Sequence, residues 1–355
     1  MPPPNAPDDA LIARFRDDLT TLTGPLDETA RIGVAVSGGP DSLALLLLAH
    51  GALPGRVAAA TVDHGLRPEA VDEAAMVGRV CKVLGVPHVV LRASRMELES
   101  PYPSESWGPD EAVERDPSFR WGTAGGGNVQ AKARMLRYRL LWDWARREAL
   151  GFVATAHHRD DVAESFLMRA LRGSGIGGLA RMAAIRPIPY GRDDGPILVR
   201  PLLGWERAEL AGIVRKAGLA AAEDPSNQDP RYDRARIRAW LKREPLLDAE
   251  QLARAAGNLA DADAALEWIA DQAWKSRAEY ARDEIVLDPD DLPVEILRRL
   301  ARRAIAALAP EWDGEGLDRM LIQLDARGTA TLAGVKVSGG GAWRFRLAPA
   351  RRGHR

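Results

Sequence analysis

A chain of 355 residues is long enough for two domains, or three small ones, each with a core of its own. Its 46% hydrophobic and 28% charged residues are those of a soluble globular protein, and a formal net charge of −1 excludes a globally basic nucleic-acid binder, so that local basic patches matter more than the total. The single cysteine, Cys81, excludes an internal disulfide framework and any CxxC site and fits a reducing compartment. The opening Met1-Pro2-Pro3-Pro4-Asn5 shows no signal-peptide pattern and no apolar run reaches membrane-spanning length, so a cytoplasmic location with no membrane partner is expected.

Leu11, Ile12, Phe15, Leu19 and Leu22 recur at helical spacing and predict a first amphipathic helix. Val34-Ala35-Val36 then reads as a buried strand, Ser37-Gly38-Gly39-Pro40-Asp41-Ser42 as a tight turn, and Leu43 to Ala49, apolar on nearly every face, as a helix buried against a sheet. Val57 to Val62 is the next strand, ending in Asp63-His64-Gly65-Leu66-Arg67-Pro68, and Pro68 opens a helix through Leu84. With a third strand over Val86 to Leu91 the pattern is β-α-β-α-β, which requires parallel strands and right-handed crossovers.

Residues 92–127 break this pattern with Ser, Pro, Gly, acidic residues, Trp107 and Trp121. A helix follows from Asn128 to about Glu148, apolar at Met135, Leu136, Leu140, Leu141 and Trp144 and basic at Lys132, Arg134, Arg137 and Arg139. Phe152 to Ala156 is expected as a strand leading into His157-His158-Arg159-Asp160-Asp161-Val162-Ala163-Glu164, which opens another helix. Ile197 to Val199 is a further strand and Trp205 to Ala217 a helix behind it. After the turn-rich Asp224-Pro225-Ser226-Asn227 comes a basic helix carrying Arg231, Arg234, Arg236, Arg238, Lys242 and Arg243. A long Ala-rich helix is expected over 249–281 and another over 293–308, and Thr329 to Val337 and Ala342 to Leu347 read as a hairpin. The resulting expectation is a doubly wound, mostly parallel α/β domain over 1–220, a helical linker over 221–285, and a small α+β domain over 286–355.

The turn at 37–42 carries the first chemistry. Gly38 and Gly39 let the backbone turn with no Cβ in the way, so that amides at the helix start point at an anion, while Ser37 and Ser42 add hydroxyl donors. Asp41 in such a nest would repel bare phosphate and suggests Mg²⁺ between the two. The turn is neither a Walker A nor a dinucleotide fingerprint, and the formal GxGxxG at 173–178 follows a helix rather than a strand, so it fails the test of context. Asp160 and Asp161 lie four and three residues before Glu164, which puts carboxylates on one helix face. Helix capping explains Asp160 as well as function does, but explains neither Glu164 nor the histidine pair. Arg134 has the planar fork that takes phosphate or carboxylate, and the Arg231–Arg243 cluster is either a solvated helix or a phosphate-tracking face.

These motifs resemble, in order, those of the tRNA(Ile)-lysidine synthetases, a family of N-type ATP pyrophosphatases: the 37–42 turn, Asp63-His64-Gly65-Leu66-Arg67, Asn128 with Ala133-Arg134 and Arg137-Tyr138, the 154–164 stretch, Arg172-Gly173-Ser174-Gly175 and Asp224–Asn227. The resemblance implies that ATP adenylates O2 of the wobble cytidine of a CAU-anticodon tRNA(Ile), and that the ε-amine of free L-lysine then displaces AMP. It implies that Ser37, Gly38, Gly39, Pro40, Asp41 and Ser42 bind ATP, Asp41 with Mg²⁺, and that Asp161 and Glu164 bind the lysine. It makes Arg134 catalytic with Asp41, Asp161 and Glu164, and gives Arg137, Arg234, Arg236 and Arg238 to the tRNA; because the attacking ε-amine must be deprotonated, His157 or its neighbour His158 is expected as an acid-base group, with His157 counted among the catalytic residues. The length of the 96–127 stretch and Ala235, where an asparagine is common, depart from the family pattern. Another enzyme of the same superfamily, a non-catalytic nucleotide-binding RNA adaptor and a homodimer all remain open.

Overall fold

A computed structural model of the chain describes residues 2–63, 65, 69–93, 129–180, 182–188, 195–222, 233–310, 312 and 314–348, leaving aside the side chains of 129–132 and Arg327. The described residues up to Ala260 belong to one compact unit and those from Asp261 onward to a second.

In chain order the first unit has α1 (Asp9–Thr23), β1 (Ile32–Ala35), α2 (Pro40–Ala52), β2 (Val57–Asp63), α3 (Glu69–Leu84), β3 (His88–Arg92), α4 (Val129–Arg147), β4 (Phe152–Ala154) and α5 (Arg159–Ala170). The one-turn α6 (Ile176–Leu179), β5 (Ile185–Pro187), β6 (Ile197–Val199), α7 (Arg207–Lys216), α8 (Asp233–Arg243) and the start of α9 (Ala249–Arg277) complete it. The sheet order is β3-β2-β1-β4-β6-β5, parallel except for the edge strand β5, so the doubly wound parallel sheet is as expected. Strand order reverses between β1 and β4, and their carboxyl ends therefore open the crevice where such sheets bind ligands. β5 is an addition that the sequence reading lacked: only three residues long, its burial alternates exposed, intermediate, exposed, which leaves little apolar signal.

α2 is apolar all round because it packs on the sheet with α1 and α7 against its other faces, burying Leu43 to Ala49. On the opposite face α4 buries Leu141, Trp144 and Ala145 over Ala58, Ala60 and Val153. Gly33 in β1 is required there: a Cβ would lie 2.8 Å from Trp144 Cζ3 and 2.9 Å from Cη2. β3 begins at His88 rather than Val86, since Pro87 has no N–H to donate.

The second unit has the remainder of α9, β7 (Ala278–Ala281), β8 (Glu284–Leu287), α10 (Val294–Leu308), α11 (Leu317–Arg327), β9 (Thr329–Leu332), β10 (Val335–Ser338) and β11 (Trp343–Leu347). Its antiparallel sheet, β7-β8-β11-β10-β9, shares a core of Ile285, Leu287, Leu300, Ile305, Val335, Val337 and Phe345 with its helices. α9 stops at Arg277, short of the expected Ala281, because 278–281 pairs with β8 across a turn whose Arg282 has φ 30°. The stretch expected as one strand, Thr329 to Val337, folds back at Ala333-Gly334 (φ 50° and 75°) into a hairpin. Within the 221–285 stretch, α8 falls in the first unit and β7 in the second.

Candidate active site

The turn after β1 is tied by its own serines. The Ser37 N–H donates to Ser42 Oγ at 3.1 Å, and that hydroxyl donates to the Gly39 carbonyl at 3.0 Å. Gly38 has φ 89°, and its carbonyl accepts the Ala222 N–H at 2.9 Å, which fastens the turn to the chain at 221–222. Pro40 then starts α2 with no side chain capping its first turn, which leaves the amides at that helix start for an anion. The six residues expected to bind ATP thus form one nest at the carboxyl end of β1.

At the neighbouring carboxyl end of β4, His158 is buried, and its Nε2 lies 3.5 Å from Asp41 Oδ2 and 3.6 Å from Asp161 Oδ2, with Nδ1 3.5 Å from Asp160 Oδ2. Burial disfavours its charge, but the surrounding carboxylates outweigh that and push the imidazole up to about 10. For Asp160 burial acts upward, and His158 together with the Arg207 N–H, which it accepts at 3.1 Å, brings it down to about 2. Asp160 therefore caps α7 rather than its own helix, where the sequence had left a capping role open for it. Asp41 keeps one oxygen, Oδ1, buried without a hydrogen-bond partner.

Asp161 does two things at once. Its Oδ2 accepts the His158 N–H at 3.0 Å, closing the first turn of α5, and its Oδ1 accepts from Arg234 Nη2 at 2.5 Å. Glu164, 1% exposed, accepts from Arg234 Nε at 2.7 Å, Arg238 Nε at 2.7 Å and Arg238 Nη2 at 3.1 Å. Burial pushes the Glu164 carboxyl up, but the Arg238 hydrogen bonds and the Arg234 charge hold it below its usual value. Arg234 and Arg238, expected on a phosphate-tracking face, point instead at α5, whereas Arg236 is exposed and pairs with Asp233.

His157 sits beside this pair with Nδ1 3.0 Å from Thr155 Oγ1. Burial, then the charges of Arg200, Arg134, Arg234 and Arg137, hold its pKa well below 6.5. The Arg134 guanidinium stacks 5.3 Å from the Tyr138 ring centroid on α4. Arg200, buried directly after β6, was missed by the sequence reading; the available signal was an arginine ending an apolar strand, Ile197-Leu198-Val199-Arg200. His64, Leu66, Arg67, Pro68, Asn128, the 96–127 stretch, Asp224–Asn227 and Arg231 lie outside the described residues.

A family model described as a PP-loop domain matches residues 11–244, the segment that holds the whole of this site. The tRNA(Ile)-lysidine synthase of Novosphingobium aromaticivorans is 43% identical over 97% of this chain and 95% of its own length, and that of Zymomonas mobilis is 41% identical over 93% and 92%. The chain belongs to the tRNA(Ile)-lysidine synthase family. Among solved structures, the U34-tRNA thiolase NcsA of Methanococcus maripaludis superposes with a TM-score of 0.50 at 16% identity, covering 72% of this chain and 81% of that one, which shows the shared fold. Family members are ATP-using ligases, and the PP-loop domain of this chain contains the nest at 37–42.

Proposed function

We propose that this chain ligates free L-lysine to C2 of the wobble cytidine of tRNA(Ile) with a CAU anticodon, through an adenylated cytidine. The observation that carries this reading is the buried Asp161–Glu164 pair beside the nucleotide loop, a subsite suited to a cationic nucleophile. In the first step O2 of the cytosine attacks the α-phosphorus of ATP and pyrophosphate leaves; in the second, the lysine ε-amine attacks C2, the C2–O bond breaks and AMP departs with the oxygen.

The loop from Ser37 to Ser42 holds the phosphates, with Arg134 near the α-phosphate. The unpartnered Oδ1 of Asp41 fits a hard cation, and the described residues contain no cluster of three metal-ligating side chains, which suits Mg²⁺ held by one carboxylate plus phosphate oxygens. Such an ion would offset the charge on the phosphates and the leaving pyrophosphate. Asp161 and Glu164 bind the ammonium groups of lysine. His157, kept neutral near pH 7 by burial and then by its arginine neighbours, accepts a hydrogen bond from the ε-ammonium, which must lose a proton before attack. Arg137 and Arg236 serve the tRNA backbone. A thiolating role is disfavoured by Cys81, whose burial pushes its thiol up to about 12. No described helix is long and apolar enough to cross a membrane, and the reading includes a cytoplasmic site of action and leaves a homodimer to be tested by sedimentation.

ATP–pyrophosphate exchange with tRNA and lysine added separately tests the reading. Exchange driven by tRNA alone is expected, because the base is what becomes adenylated; exchange driven by lysine alone would overturn it.

A further inference from the structure

The two carboxylates assigned to lysine already have cations on them. Arg234 spans both, with Nη2 on Asp161 Oδ1 at 2.5 Å and Nε on Glu164 Oε2 at 2.7 Å, while Arg238 holds Glu164 from the other side through Nε and Nη2. A lysine ammonium added to this arrangement would place three cations on two buried carboxylates, an uncompensated charge that a poorly solvated site does not tolerate. One guanidinium has to leave. Arg234 is the one whose side chain is 41% exposed, against 18% for Arg238, and it occupies the position between the carboxylates that a three-donor ammonium needs.

We propose that Arg234 is an internal occupant of the ammonium subsite, displaced when lysine binds, and that tRNA promotes the exchange by giving the displaced guanidinium a phosphate. Arg238 stays behind as the positioning residue that fixes the orientation of Glu164. The proposal rests on the reading of Asp161 and Glu164 as the lysine subsite. Its chemistry follows from α8: Arg234 and Arg238 are four residues apart and face α5, and Arg236 between them is exposed, so one helix carries both the plug and a group for RNA phosphate. Lysine then binds well only once the RNA is in place, which orders the substrates in the sense that adenylation requires.

Calorimetric titration of L-lysine into the full-length protein, without ATP and with or without tRNA transcript, tests this. Wild type is expected to bind lysine about tenfold more tightly when tRNA is present, and Arg234→Gln to reach that affinity without tRNA. Arg234→Lys, which keeps an internal ammonium, is expected to stay weak until tRNA is added. The proposal is overturned if Arg234→Gln binds lysine no better than wild type, or if tRNA leaves the wild-type affinity unchanged, a measurement that needs no substitution. Glu164→Gln separates the two levels: if it leaves lysine affinity intact in the tRNA complex, the subsite assignment itself falls.

Discussion

At the scale of single residues, the site is a set of carboxylates whose partners decide their work. Asp160 is consumed by capping α7, Asp161 divides its oxygens between the α5 first turn and Arg234, and Asp41 alone retains a buried oxygen with no partner. Asp41→Ala is therefore expected to abolish tRNA-dependent pyrophosphate release while leaving thermal stability within about 1 kcal/mol, and undiminished release would count against the loop assignment. His157 makes a prediction in pH. Its folded pKa lies well below 6.5, so the unfolded chain binds a proton that the folded one refuses, and its contribution is present above 6.5 and lost as pH falls below it. Urea midpoints of wild type should thus drop more steeply from pH 7 to 5 than those of His157→Gln; parallel curves would refute the assignment. The acidic pair was legible in the sequence because its three-residue spacing is a local property of a helix. Its arginine partners were not, since Arg234 and Arg238 are 70 and 74 residues from Glu164 and nothing local links them.

At the scale of elements, α8 was read correctly as a basic helix and incompletely as a surface for RNA. Helical periodicity sends Arg234, Ile237 and Arg238 to one face and Arg236 to another, and the face that carries the only buried apolar residue of this helix is the one that meets α5. Electrostatics follow from that packing. β1 shows the reverse dependence, an element whose composition is dictated by what lies on it. Because Trp144 of α4 sits against Gly33, Gly33→Ala forces ring or strand to move and is expected to cost about 1–3 kcal/mol. An unchanged unfolding midpoint would mean that α4 does not pack there.

At the scale of the molecule, two compact units with separate cores share one chain. Truncating the buried Phe345 to Ala should lower the stability of the second unit by about 3–5 kcal/mol and leave ATP binding by the first unit in place, measured by calorimetry against the unfolding trace of each unit. Loss of ATP binding in a folded variant would show that the loop depends on the second unit's core. Within the 221–285 stretch, α8 lies in the first unit, where its arginines meet the carboxylates of α5, and β7 lies in the second, where it pairs with β8.

By itself the sequence determined the strand, nest and buried helix around Ser37–Ser42, the alternation that demands a parallel sheet, and the acidic face of α5, because each depends on residues a few positions apart. The tertiary structure alone decided that β1 and β4 are neighbours, that His158 lies between Asp41 and Asp161, and that two arginines of α8 close the carboxylate pair. Those arrangements come from burial of apolar faces brought together over long separations, and charge positions within them follow the packing rather than the local code.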